Sequence, residues 1–225
     1  MVKRKKGLLV VLEGTDSSGK ATQARLLADR LHSEHLAVEL ASFPRYESRF
    51  GALVGKYLAG DFGAKEQLNP HAVAMLYAMD RFDFLQTLKA WLAEGKIVVL
   101  NRYKASNWAH QGARLVSVRE QDEFIRWMMQ VEDPLPEPDV TFFLEMPEAL
   151  AQRLMDNCDR AAGYRQGVSR DQHESDLVHL RRTRGIYRRL SKRLKWIHVS
   201  CSFRGRVRDR LNVAADIWRS LEPRL

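Results

Sequence analysis

Directly behind an apolar run at residues 8–12, the chain reads Glu13-Gly14-Thr15-Asp16-Ser17-Ser18-Gly19-Lys20-Ala21-Thr22. This fits G-x-x-x-x-G-K, except that alanine follows the lysine where Ser or Thr is expected. The spacing alone is a modest signal, and its setting strengthens it. A strand-sized run enters the loop, and residues 24, 27, 28 and 31 carry the apolar spacing of an amphipathic helix leaving it. That arrangement points loop amides and a helix N-terminus at phosphate oxygens. Gly14 and Gly19 permit close backbone approach, and Lys20 reaches the outer phosphates of a nucleotide. An ordinary Gly-rich turn with a solvated lysine is the competing explanation.

Further apolar runs at 38–41, 97–100 and 140–144, with a weaker one at 196–200, are each of strand length. The runs at 8–12, 97–100 and 140–144 are nearly continuous rather than alternating, as in parallel strands covered on both faces. Helical spacing between them, for example over 73–77 and 85–92, predicts an α/β fold. The expected architecture is a doubly wound, five-stranded parallel sheet with helices on both faces. One domain over 1–225 is expected, with a basic tail at 1–7, a helical segment at 70–94 and an inserted segment at 159–173.

Composition narrows the functional classes. The 225 residues hold 37 Lys and Arg against 28 Asp and Glu, a net +9 that suits an anionic partner. Two cysteines, Cys158 and Cys201, form no metal-binding pair and no disulfide scaffold. The basic start before residues 8–12 mimics an export signal until Glu13 interrupts it. No membrane-length apolar stretch occurs. A soluble, cytoplasmic protein in a reducing compartment is expected, with no membrane association.

Arg45 follows the second run and Arg102 the third, at strand ends where open α/β sheets bind ligands. Either arginine can grip phosphate bidentately. The segment 159–173 offers Arg160, Arg165 and Arg170 with two glycines, without helical or strand periodicity, as in an Arg-rich lid closing over transferred charge. A basic surface loop is the bland alternative. Arg181, Arg182, Arg184, Arg188, Arg189, Lys192 and Arg193 surround much of a later helix. Without aromatic interleaving, a solvated basic face is favoured over nucleic-acid binding.

In this order, the motifs resemble those of thymidylate kinases within the P-loop nucleoside monophosphate kinases. The residues are the loop at 13–20, Phe43-Pro44-Arg45, Tyr77-Ala78-Met79-Asp80-Arg81, Arg102-Tyr103 with Ser106-Asn107 and His110-Gln111-Gly112, Leu135-Pro136-Glu137-Pro138-Asp139, and His173-Glu174-Ser175-Asp176. The resemblance implies transfer of the ATP γ-phosphoryl group to dTMP, and a homodimer. It makes Gly14, Ser17, Ser18, Gly19, Lys20, Ala21, Thr22 and Arg153 the ATP-binding positions. Asp16 would contact the acceptor's sugar, and Arg45 and Arg102 its phosphate. Phe43, Leu58 and Tyr77 would surround the base, with Arg81, Asn107 and Gln111 among its polar contacts, and Ser106 would also bind dTMP. Tyr103 and Tyr187 would stand near the deoxyribose. Lys20, Arg102 and the lid arginines Arg160, Arg165 and Arg170 would stabilise transferred charge, and the 202–204 loop would touch the donor adenine.

Two positions depart from the family pattern. Ala21 replaces the hydroxyl that ligates Mg²⁺, and Asn101 replaces the Asp that commonly precedes Arg-Tyr. The cofactor Mg²⁺ would then be held largely by nucleotide phosphates and water, with no dedicated protein metal site. The alternatives are a kinase for another nucleoside monophosphate or for deoxynucleosides, a nucleotide-binding protein with weak catalysis, and a nucleic-acid binder acting through the Arg-rich helix.

Overall fold

The run at 8–12 becomes the middle strand of a five-stranded parallel sheet in a computed structural model that describes residues 7–156 and 177–225. In chain order the strands are β1 (Leu8–Gly14), β2 (Val38–Ser42), β3 (Ile97–Asn101), β4 (Val140–Glu145) and β5 (Ile197–Ser200), arranged β2-β3-β1-β4-β5. The three nearly continuous runs thus occupy the three interior positions. β1 pairs in register with β3 from Leu8 opposite Ile97 to Leu12 opposite Asn101, and with β4 from Val10 opposite Val140 to Gly14 opposite Leu144.

Alternate residues of each interior strand feed different cores. Val10, Leu12, Val99, Phe142 and Leu144 pack with α1 (Lys20–Ser33) and α9 (Arg210–Leu221). Leu9, Val11, Val98 and Leu100 face the opposite side, toward α4 (Leu85–Ala93). There Phe143 meets a cluster from α3 (Pro70–Asp83), α5 (Lys104–Gly112), α6 (Val118–Val131) and α8 (Leu177–Arg193). Ala74 and Ala78 on α3 oppose Ala105 and Ala109 on α5, small residues that let the two helices approach closely. The remaining helices are α2 (Arg49–Ala59), which packs on α3, and α7 (Glu148–Asp156), which packs on α8.

The segment expected as one helix over 70–94 is two helices. α3 ends and α4 begins at Phe84, whose ring is buried edge-on against Phe43 and Trp91. The break turns the chain from the wall of a cavity to the face of β3. A short antiparallel pair, β6 (Ser202–Phe203) and β7 (Arg206–Val207), also escaped the periodicity. Two residues per strand are too few to register, and its turn uses positive φ at Arg204 and Gly205.

Arg181, Arg182, Arg188, Arg189, Lys192 and Arg193 are exposed on α8, the solvated basic face expected from the sequence, yet several of these charges are paired. Arg184 pairs with Glu148 at 2.6 Å, Arg181 with the same carboxylate at 3.3 Å, Arg188 with Glu145, and Arg189 donates to Gln121 at 2.7 Å. Much of its charge therefore ties the helix to α7, β4 and α6. Among the described residues, no helix is long and apolar enough to cross a membrane.

Candidate active site

All five strands of the sheet run in one direction, so β1, β2 and β3 deliver their C-terminal residues to one edge. There β1 is flanked by strands from opposite directions in chain order, the switch point at which open α/β sheets leave a crevice. The phosphate loop fills it. Gly14 takes a φ of +152°, and a Cβ there would stand 2.4 Å from the Leu144 carbonyl oxygen, so only glycine fits. Gly19 adopts a left-handed φ of +83° immediately before α1, and no side chain caps that helix. The first-turn amides of α1 are left to an anion.

Lys20 is buried and folds back over the loop, donating to the Thr15 carbonyl at 2.5 Å and to Ser18 Oγ at 3.3 Å. Burial, followed by the nearby Arg102 guanidinium, pushes its ammonium down to about 7 despite the carboxylates of Asp16 and Glu13. A polyanion placed beside it favours the charged form. ATP binding at pH 8 is therefore expected to take up close to one proton per site, and apparent affinity should fall as pH rises from 6 to 9. Calorimetry in buffers of different ionisation enthalpy reads this uptake. Lys20→Met should abolish it.

Beside the loop opens a cavity of about 850 Å³. It is lined by Asp16, Phe43, Arg45, Leu58, Tyr77, Arg81, Arg102, Tyr103, Ser106, Asn107 and Gln111, together with residues not anticipated, among them Tyr46, Phe84, Trp91 and His110. Every acceptor-site residue named from the sequence is on this wall except Tyr187. That tyrosine is fully buried behind it, with its hydroxyl on Glu13 at 3.0 Å and Ser106 at 3.0 Å. Through these bonds it supports the wall that Ser106 lines.

The two strand-end arginines are held differently. Arg45 donates its backbone N–H to Asp80 Oδ2 at 2.8 Å and its Nε to Asp80 Oδ1 at 3.1 Å, while Nη2 reaches Asp83 at 2.5 Å and the guanidinium lies 4.8 Å from the Phe84 ring. Arg102 sits at φ +68°, a costly conformation for a side-chain-bearing residue, with its N–H bonded to the Leu12 carbonyl at 3.0 Å. Its guanidinium pairs with Asp16 and donates to Ser106 Oγ at 3.3 Å. Burial, the largest single influence, would raise the Asp16 carboxyl, yet the Arg102 charge and hydrogen bond together with His110 and Lys20 outweigh it and hold Asp16 far below the usual carboxylate range.

His110 lies 3.4 Å from Arg102 Nη1 through its Nε2. Burial first, and then the charges of Arg102 and Lys20, push the imidazole down to about 3. The ring is neutral at physiological pH. Since Arg102 can only donate, Nε2 is the acceptor.

Glu13, noted in the sequence only as the end of the apolar run and the first residue of the loop motif, is the buried anchor of this wall. It accepts from the Tyr103 and Ser106 N–H groups at 2.9 and 3.1 Å, from Ser106 Oγ at 2.6 Å and from the Tyr187 hydroxyl. Asp80 was legible only as a motif letter, and its partner lies 35 positions away.

The polar end of the cavity presents a defined donor and acceptor set. Asn107 Nδ2 donates to the Ala74 carbonyl at 3.0 Å, which fixes the amide and leaves Oδ1 buried without a partner. Gln111 Oε1 accepts from Arg114 at 2.9 Å, leaving Nε2 in the same condition. An acceptor from Asn107, a donor from Gln111 and the Arg81 guanidinium therefore line one apolar slot walled by Phe43, Leu58 and Tyr77.

For a metal, the chain supplies little charge of its own. Ala21 and Thr22 are exposed, and among the described residues no three His, Cys, Asp or Glu side chains cluster as ligands. Asn101 donates through Nδ2 to Ser42 at 3.1 Å, and its Oδ1 is a buried acceptor without a partner. That orphaned acceptor fits a water on a phosphate-held cation better than direct ligation.

Arg153 is exposed on α7, and Arg204 stands over the Phe203 ring at 5.2 Å in the β6–β7 turn. Arg160, Arg165 and Arg170 lie outside the described residues, as does the 173–176 motif.

The family model described as thymidylate kinase matches residues 12–206. A thymidylate kinase from Plasmodium falciparum is 31% identical over 153 residues, 68% of each chain. The human thymidylate kinase is 32% identical over 149 residues, 66% of each chain. A probable thymidylate kinase from Pyrococcus abyssi is 34% identical over 144 residues, covering 63% of this chain and 66% of that one. The matched segments thus span about two thirds of these relatives. A solved thymidylate kinase from Candida albicans superposes with a TM-score of 0.73 at 21% identity, over 97% of this chain and 92% of that one, which shows the shared fold.

Proposed function

The chain belongs to the thymidylate kinase family, and from that premise we propose that it transfers the γ-phosphoryl group of ATP to dTMP, releasing dTDP and ADP, as a step in dTTP synthesis. The observation that carries this reading is the adjacency of a phosphate loop to a slot whose free polar atoms match the edge of a 4-oxo pyrimidine such as thymine. Thymine presents a carbonyl, an N–H and a second carbonyl along its edge. Arg81 and Gln111 supply donors and Asn107 Oδ1 the acceptor. Cytosine would set an amino group against a donor and leave a buried group unpaired, a penalty of about 1–3 kcal/mol.

In the reaction, an oxygen of the dTMP phosphate attacks the γ-phosphorus in line. The bond from that phosphorus to the bridging oxygen breaks, and ADP leaves without a covalent enzyme intermediate. Positioning and electrostatics supply the rate. Lys20 and the loop amides hold the donor phosphates, Arg45 and Arg102 orient the acceptor phosphate, and Asp16 is released toward the sugar hydroxyl as Arg102 engages phosphate. Asn101 Oδ1 would accept from a water on Mg²⁺ held mainly by the nucleotide phosphates, and the cation would supply neutralisation of phosphate charge. Arg160, Arg165 and Arg170 are the proposed lid cations, and Arg153 with the 202–204 turn the adenine contacts. The family resemblance further supports a homodimer and a cytoplasmic protein.

The test is ADP release from Mg-ATP with dTMP, dUMP, dCMP, dGMP, AMP and thymidine as separate acceptors. Turnover with dTMP at least tenfold above dCMP, dGMP, AMP and thymidine is expected, with dUMP the nearest rival because one methyl-sized contact separates them by only about 1–3 kcal/mol. Preference for another acceptor would reassign the substrate. Tight ATP binding without turnover would favour a nucleotide-binding role and point to Ala21 and Asn101.

A further inference from the structure

We propose that Glu132 is a positioning residue for base recognition, holding the guanidinium of Arg81 in its reading orientation and locking it to the helix that carries Asn107 and Gln111. The inference rests on the acceptor-site reading above and assigns that site a residue it does not otherwise contain.

Glu132 stands directly after α6 and is fully buried. Its backbone is fixed on both sides, the N–H donating to the Met128 carbonyl at 2.9 Å and the carbonyl accepting from Leu135 N–H at 3.1 Å. A carboxylate shut off from water persists only with charged or strongly donating partners. Its two oxygens divide them between two helices. Oε1 accepts from Arg81 Nε on α3 at 2.6 Å, with Nη2 at 2.5 Å, and Oε2 accepts from Trp108 Nε1 on α5 at 2.7 Å.

Both partners bear on the slot. Arg81 is itself 2% exposed and lines the cavity. Nε is spent on Glu132, whereas Nη2, an ion-pair contact of the same oxygen, is buried without a hydrogen-bond partner and is the donor Arg81 keeps for a base carbonyl. Trp108 directly follows Asn107 and lies one helical turn before Gln111, so the bond to Oε2 holds the turn that carries the other two base-facing groups. A planar guanidinium reads a carbonyl through direction as well as charge, and a flexible stem by itself sets neither. Glu132 also neutralises a cation that would otherwise stand unpaired in a dry wall. None of its contacts reaches the phosphate loop.

The experiment measures dTMP, dCMP and ATP affinity by calorimetry, which needs no turnover, for the wild type, Glu132→Gln, Arg81→Gln, the double variant and Trp108→Phe. Glu132→Gln should weaken dTMP about 10- to 100-fold, narrow the preference over dCMP and leave ATP within twofold. Because Glu132 acts through Arg81, the double variant should bind dTMP within threefold of Arg81→Gln alone. Trp108→Phe keeps both charges and the ring while removing one donor, and should weaken dTMP about 3- to 10-fold, so the idea remains testable if Glu132→Gln does not fold. Unchanged dTMP affinity in a folded Glu132→Gln or Trp108→Phe protein would overturn it. So would equal weakening of ATP, or losses from Glu132 and Arg81 that multiply. A wild type that binds ATP but no dTMP would instead overturn the acceptor reading itself.

Discussion

Lys20→Met is expected to lower kcat about 100- to 1000-fold while the protein stays folded, the scale for removing one preorganised charge from developing transition-state oxygens. Methionine keeps most of the stem volume in a site where Lys20 is 5% exposed, so packing is largely retained. What is lost is the ammonium, now satisfied by the Thr15 carbonyl and Ser18 and free to turn to phosphate when ATP arrives. The deficit should appear chiefly in kcat, because loop amides and the uncapped start of α1 continue to hold ground-state phosphates. Single-turnover kinetics with saturating ATP and dTMP measure it. A loss under tenfold would mean that Lys20 does not carry transferred charge.

Glu13→Ala is expected to be the most damaging change for stability. Four donors from Tyr103, Ser106 and Tyr187 converge on this carboxylate, which is 1% exposed. Removing it strands backbone N–H groups and hydroxyls where no water reaches, at a cost of about 3–5 kcal/mol. For a chain of this size that lowers the thermal midpoint by on the order of 10 °C. Catalysis should suffer beyond the loss of folded protein, since the same bonds fix the turn that keeps Arg102 at φ +68°. Glu13→Gln retains one acceptor oxygen, and the two hydroxyls can rotate to meet its amide, so a loss of about 1–2 kcal/mol is expected. A midpoint for Glu13→Ala within about 2 °C of wild type would show that the converging bonds add little.

The contrast between Lys20 and Glu13 shows what the sequence exposes. Lys20 belongs to a contiguous pattern, a buried strand, a Gly-rich turn and an amphipathic helix, and all three are local properties of the chain. The same holds for the interior strands, whose unbroken apolar runs predicted their coverage on both faces, and for Arg45 and Arg102 at strand ends. Glu13, Asp80 and Glu132 act through partners 90, 35 and 51 positions away. No spacing rule links such pairs before the sheet order and the α3–α5 approach are known. Tyr187 is named from the resemblance alone, and its hydroxyl bonds to Glu13 and Ser106, partners 174 and 81 positions away, were equally hidden in the sequence. The break at Phe84 was hidden because apolar spacing runs through it on both sides, and only the burial of that ring against Phe43 and Trp91 shows why the chain turns.

Ala21 and Asn101 bear on the central claim, because neither position carries the hydroxyl or the negative charge of the family pattern, and Asn101 offers only an uncharged, unpartnered acceptor. Phosphorus NMR of the protein with Mg-ATP and dTMP tests that claim most directly. The account predicts that dTDP resonances grow in step with ADP, one for one, at a rate that Lys20→Met reduces about 100-fold or more. ADP appearing with inorganic phosphate in place of dTDP, or an ATP signal that persists unchanged beside dTMP, would contradict it.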